Sequence, residues 1–142
     1  MVNLSLWDTA GGSDYTRLRA LSYPDTHVIV LTFSILSSSK FINLKLLWIP
    51  EIRNQLPNCP IILVGSDSDY NSAEDDRKVS EEEILQLCDE FNLKSYHLVS
   101  LLPWHGLRDL FDDIIFTGIA SSTGEIHEPL IPRHSDKKCA IM

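Results

Sequence analysis

Long apolar runs are missing from this chain of 142 residues. None approaches the ~20 residues that a helix needs to cross a bilayer. No secretory leader opens it either, so the expectation is a cytoplasmic protein. Positive charge is scarce, with 12 Lys and Arg against 20 Asp and Glu and a net charge of −8. Nucleic-acid binding is excluded on that balance, because it relies on clustered cations that neutralise phosphates. Cysteine is sparse too: Cys59, Cys88 and Cys139 show neither metal-ligand spacing nor a disulfide framework. Cys59 and Cys88 lie in apolar stretches and read as small, reduced core residues. Of six glycines, only Gly11 and Gly12 are adjacent, and no G-x-x-x-x-G-K-S/T occurs. The 142 residues therefore lack the loop whose backbone N–H groups and Lys cradle nucleotide phosphates.

What is present is an ordinary globular composition, 44% apolar and 23% charged, on a length that suits one domain. Val2, Leu4 and Leu6 alternate with Asn3 and Ser5, which predicts a strand running into the turn Asp8-Thr9-Ala10-Gly11. Residues 27–33 and 61–65 are short apolar runs rich in β-branched side chains, as in parallel strands covered on both faces. A weaker strand is predicted at 96–99. Helical spacing over 39–56 predicts a helix that Pro50 bends or breaks. Ser80 and Glu83 form a capping box for a second helix, with Glu81–Glu83 as its solvated first turn. A last helix over 105–120 should bury Leu107, Leu110, Phe111, Ile114 and Ile115. Alternating strands and helices imply an α/β fold with a doubly wound, mostly parallel sheet. Residues 1–120 read as the domain, and 121–142, rich in Ser, Pro and charge, as a flexible tail. His27, His97 and His105 are scattered and do not suggest a metal site, and Trp48 and Trp104 read as packing residues.

The stretch "LWDTAGGSDYTRLRALSYPDTHVIVLTFSI" closely resembles the second switch and following strand of Rho-family small GTPases. The likeness continues through "LWIPEI", "CPIILVG", "GLRDLFDDII" and a terminal C-a-a-X box, and covers nearly the whole chain. The resemblance implies a fold of the small-GTPase (P-loop NTPase) type lacking its first two strands and first helix. In the family, a strand lies between the one at 2–7 and the one at 28–33. Without it, Val2–Leu6 must close across to that strand or both edges stay unpaired, which invites aggregation and marginal stability.

The resemblance also implies ligands, GTP or GDP with Mg2+, and places them residue by residue. Asp8 matches the carboxylate that reaches Mg2+ through a water. Gly11 offers the backbone N–H for the γ-phosphate, with Thr9 and Ala10 in the same turn. Gly12 stands where the family has the Gln that orients the attacking water, so hydrolysis should be impaired. Ser66 and Asp69 follow the third predicted strand, where the family reads guanine, and Asp69 fits the bidentate carboxylate. Ser100 matches the loop that supports the base. Asp67, in place of Lys or Gln, and Leu101, in place of a small residue, depart from the pattern. Losing the phosphate loop removes charge-assisted contacts worth ~1.5–3 kcal/mol each, so tight GTP binding is not expected.

Partners follow in the same way. Asp14, Tyr15, Arg17, Leu18, Tyr23 and Pro24 resemble the family's surface for exchange factors, GTPase-activating proteins, dissociation inhibitors and effectors. Cys139-Ala140-Ile141-Met142 fits C-a-a-X, and the terminal Met favours a farnesyl transferase. One prenyl chain beside the thin basic patch of Arg133, Lys137 and Lys138 implies reversible attachment to the cytoplasmic face of membranes. Three functions are compatible with these residues. One is a Rho-family switch represented by an incomplete chain. Another is a non-catalytic descendant that binds Rho regulators or effectors. The third is an unrelated α/β binding domain.

Overall fold

The computed structural model describes residues 2–67, 77–101 and 104–124, the side chain of Leu101 excepted. Strands β1 (Ile29–Ser34), β2 (Ile61–Ser66), β3 (Ser95–Leu101) and β4 (Trp104–His105) form one sheet in the order β1-β2-β3-β4. The first three are parallel, with Ile29 opposite Ile61 and Ile62 opposite Ser95. The two-residue β4 folds back antiparallel on β3, a hairpin that nothing in the periodicity announced. Ile61–Gly65 of the central β2 are all buried, as expected of a parallel strand covered on both faces.

Helices supply that cover. On one face Phe33, Ile35, Leu44, Ile49, Ile61 and Leu63 pack with Ile84 and Leu87. On the other, Ile62, Val64 and Val99 meet Leu110 and Ile114. The helix predicted over 39–56 is continuous but changes pitch. It runs as α2 (Ser38–Asn43), a π turn (Leu44–Trp48) and α3 (Ile49–Gln55). Pro50 lacks an N–H and its ring collides with the carbonyl a turn earlier. It sits in the first turn of α3, immediately after the π turn, so a widened turn takes the place of a break.

Helix α4 (Glu81–Glu90) starts at the expected capping box: Ser80 Oγ accepts from the Glu83 N–H, and the Glu83 carboxylate accepts from the Ser80 N–H. Arg77 forks onto the same carboxylate at 2.8 Å, and the Arg77 and Ser80 hydrogen bonds hold it far below the usual carboxylate range. Helix α5 (Leu107–Thr123) begins after Gly106, whose φ of +81° only glycine adopts readily. Leu110 and Ile114 are buried as expected, Leu107 and Ile115 only partly, and Phe111 lies on the exposed side. Trp104 is also exposed rather than packed. Cys59 is buried with a thiol pushed up by that burial, Cys88 packs at the core's margin, and neither is in a disulfide. None of the described helices is long and apolar enough to cross a membrane.

One element departs from expectation. Val2–Leu6 join no strand among the described residues, and their apolar side chains remain exposed, Val2 at 61% and Leu6 at 65%. Alternation supplies a strand's side-chain pattern but not its partner, and a strand exists only as part of a ladder. Among the described residues β1 ends the sheet, and the segment does not close onto it.

Candidate functional site

The turn Asp8–Gly12 has no regular structure of its own and is exposed throughout. A short helical stretch follows it, a 3-10 turn (Ser13–Tyr15) leading into α1 (Thr16–Ala20). From α1, Arg19 reaches back: its Nη1 donates to the carbonyls of Ala10 at 2.7 Å and Gly12 at 2.8 Å. Its other edge forks onto Glu51 of α3, Nε to Oε1 at 2.9 Å and Nη2 to Oε2 at 2.8 Å. Nη2 also donates to Thr16 Oγ1, the guanidinium lies 4.7 Å from the Trp48 ring centroid, and the Tyr23 hydroxyl donates to Glu51 Oε1 at 2.7 Å. Arg19 is only 5% exposed. A buried charge is tolerated when paired and hydrogen-bonded, and this one is. The Arg19 hydrogen bonds hold the Glu51 carboxyl below its ordinary range, and Glu51 raises the guanidinium in turn. Burial, then Glu51, pushes the Tyr23 phenol up.

No pattern in the sequence marks this clamp. Arg19 sits inside the quoted second-switch stretch, and Glu51 is the one acidic residue in 39–56. The sequence does not say that Glu51 takes a cation as partner, nor which of Arg17 and Arg19 turns inward. Tyr23, read as part of a partner surface, is 9% exposed and serves the clamp. Asp14, Tyr15, Arg17, Leu18 and Pro24 do stand at the surface, joined by Leu21.

The carried-over ligand residues fall into separate places. Asp8–Gly11 line a groove of about 930 Å3 together with β1 and one side of α5. A Cβ at Gly11 would meet nothing within 4 Å, so its backbone is open to approach. Ser66 ends β2 and Ser100 lies near the end of β3, where the Asp67 N–H reaches the Val99 carbonyl at 3.4 Å. Neither serine lines the groove. Asp69 and Cys139 lie outside the described residues.

A further buried polar cluster joins β3 to α5. His97 Nε2 lies 2.7 Å from Asp113 Oδ2, Ser95 Oγ donates to the same oxygen, and Thr117 Oγ1 donates to Oδ1 at 3.2 Å. It ties the helix to the sheet. Among the described residues, no group of three or more His, Cys, Asp or Glu is arranged to hold a metal ion.

A mostly parallel sheet covered on both faces by helices defines the α/β class that places ligands beyond the carboxyl ends of its strands. Within it, a family model described as Ras family matches residues 1–118, and the chain belongs to that family of small GTPases. Membership suggests GTP or GDP with Mg2+ in general, and regulators and effectors in general. The described residues meet that ligand only in part. Mg2+ takes carboxylate, water and phosphate oxygens together, and here Asp8 is one exposed carboxylate with no clustered acidic partner. The Gly11 N–H adds one donor, and no Lys or hydroxyl of a phosphate loop stands beside it.

Proposed function

We propose that the chain is a Rho-type small GTPase-like protein that works by presenting its second-switch surface, with GTP binding weak and hydrolysis impaired in these 142 residues. The observation that carries this reading is the Arg19 clamp. It fixes the Asp8–Gly12 turn from behind through the Ala10 and Gly12 carbonyls and leaves Tyr15 and Leu18 facing solvent. A surface held from within needs less ordering when a partner binds. Gly12 has no side chain with which to orient a water, so the turn cannot supply that part of the chemistry.

On this reading the partners are Rho-type exchange factors, GTPase-activating proteins, dissociation inhibitors and effectors. A farnesyl transferase would modify Cys139, and the lipid would hold the protein reversibly on cytoplasmic membranes. Titration with fluorescent GDP and GTP in Mg2+, beside pull-down with a Rho exchange factor, tests the proposal. Weak or absent nucleotide binding with retained exchange-factor binding supports it; nanomolar nucleotide binding sinks it. Replacing Cys139 by Ser should make a tagged protein wholly cytosolic.

A second reading, a non-catalytic protein that binds Rho regulators or effectors without any nucleotide, is favoured by the separation of Ser66 and Ser100 from the groove that holds Asp8–Gly11. Exchange-factor binding that is indifferent to added GDP would select it.

A further inference from the structure

Ile42, Leu46 and Leu47 stand on the outer side of the helix that runs from α2 through the π turn into α3, at 53%, 61% and 57% exposure. Ile42 and Leu46 are four residues apart, the spacing that sets side chains on one face, and Pro50, four further on, is exposed as well. Leu47 joins Leu46 outside because a π turn holds one residue more than an α turn. Apolar residues scattered singly over a surface need no explanation, but three on adjoining turns do. The same helix has already given Leu44, Ile49 and Ile52 to the core. None of the outer three lines the groove that Asp8–Gly11 share with β1.

The ridge is held from both sides. Lys45, within the π turn, donates to Glu90 of α4 at 2.7 Å, and its ammonium lies 5.9 Å from the Phe91 ring centroid. Glu51, one turn after Leu47, is gripped by Arg19 of α1. A surface fixed in this way loses little freedom when it is covered. Charge selects what covers it. Residues 38–55 carry Lys40, Lys45 and Arg53 against Glu51 alone, on a chain of net charge −8. Arg53 donates to the neutral Cys59 carbonyl, which leaves its charge standing. A twofold pairing of two copies would set these cations against their own images. An anionic membrane would attract them but would also meet neighbouring α4, whose Glu81, Glu82, Glu83, Asp89 and Glu90 repel it. We propose that the ridge of Ile42, Leu46 and Leu47 docks an amphipathic helix of another protein, with Asp or Glu flanking its apolar face. Side chains at this spacing pack ridge into groove against a second helix. The apolar contact supplies affinity, and the acidic flanks set orientation and exclude wrong partners.

The probe is the peptide fluorescein-Glu-Leu-Ala-Glu-Leu-Leu-Ala-Glu-Leu-Glu-Ala-Leu-Leu-Glu-amide, followed by anisotropy as the full 142-residue chain is added. A saturable rise is expected, and added salt should weaken it. A peptide of the same composition with its leucines spread around the helix should bind about tenfold more weakly or worse, because no apolar face remains. Lys in place of every Glu should cost about tenfold as well. In the protein, Leu46→Gln combined with Leu47→Gln should cut binding about tenfold or more. The double variant should keep its Tm, since both side chains are exposed. Leu18→Gln, on the second-switch surface, should leave binding unchanged. No binding of the parent peptide, or equal binding to the double variant or by the spread-leucine peptide, overturns the proposal. A loss in Leu18→Gln as large as that in the double variant overturns it too, in favour of the second-switch surface. A dimer of the chain by light scattering that the double variant abolishes overturns it in favour of a second copy. Binding of the chain to phosphatidylserine vesicles, lost in the double variant, overturns it in favour of a membrane.

Discussion

The Arg19 guanidinium and the Glu51 carboxylate meet edge to edge, at 2.9 and 2.8 Å, while the same guanidinium holds the Ala10 and Gly12 carbonyls. One side chain therefore joins α3 to the turn that carries the family's signature. Removing one partner of a buried ion pair leaves the other uncompensated, at a cost of about 3–5 kcal/mol. Glu51 stays about a fifth exposed and keeps the Tyr23 hydrogen bond, so Arg19→Ala should cost less than that, about 1–3 kcal/mol in urea melts. Arg19→Lys should recover less than half, because an ammonium cannot fork onto the carboxylate and still reach both carbonyls. Hydrogen exchange at residues 9–12 should accelerate in both variants; unchanged protection there would show that the turn does not depend on the clamp.

Gly65 lies where β2 passes closest to its neighbours. A Cβ there would stand 2.8 Å from Ile35 Cγ2 and 2.9 Å from Tyr96 Oη, and the same crowding buries the Tyr96 phenol and pushes its pKa up to about 12. Overpacking of this kind costs about 1–3 kcal/mol. Gly65→Ala should destabilise within that range, and adding Tyr96→Phe should relieve part of the loss. Strict additivity of the two in a double-mutant cycle would show that the phenol is not the obstacle.

Much of this fold was legible because its periods are strong. The apolar runs of β1 and β2, the Ser80–Glu83 box and the apolar stripe of α5 each act locally, so sequence spacing carries them. What was not legible depends on partners distant in the chain. Val2–Leu6 has the alternation of a strand, but no neighbour among the described residues completes its ladder. The direction of Arg19 is decided by Glu51, 32 residues away, and that pairing also turns Tyr23 inward. The π turn before Pro50 follows from backbone sterics that permit either a break or a widened turn. Of the candidate site, the Asp8–Gly12 turn was found by resemblance, whereas the clamp that holds it has no local signature.

Acid should weaken the attachment of α5. Burial alone would raise the Asp113 pKa, but the hydrogen bonds from His97 and Ser95 outweigh it and hold the carboxyl below its ordinary value. A group depressed in the folded state contributes stability above its unfolded pKa, about 3.9 for Asp, and loses it as pH falls through the folded value. The urea midpoint should therefore drop steeply below about pH 4. Asp113→Asn should flatten that drop without abolishing it, because Glu51 is depressed in the same direction. An unaltered acid limb in Asp113→Asn would remove Asp113 from the account.

Gly12 separates the fold's tolerance from its chemistry. Its φ of −76° and ψ of 148° are open to any residue, and an added Cβ would press only on the exposed Tyr15 ring, at 3.1 Å. Gly12→Gln should therefore change stability by no more than ~0.5 kcal/mol. Restoring the family's side chain at this position should nevertheless leave phosphate release from GTP at background in the 142-residue chain. A water-orienting group accelerates only a nucleotide that is already held, and on the proposed reading GTP is held weakly. Measurable turnover in the variant would mean that the phosphates are bound without a phosphate loop, and the weak-binding proposal would fall with it.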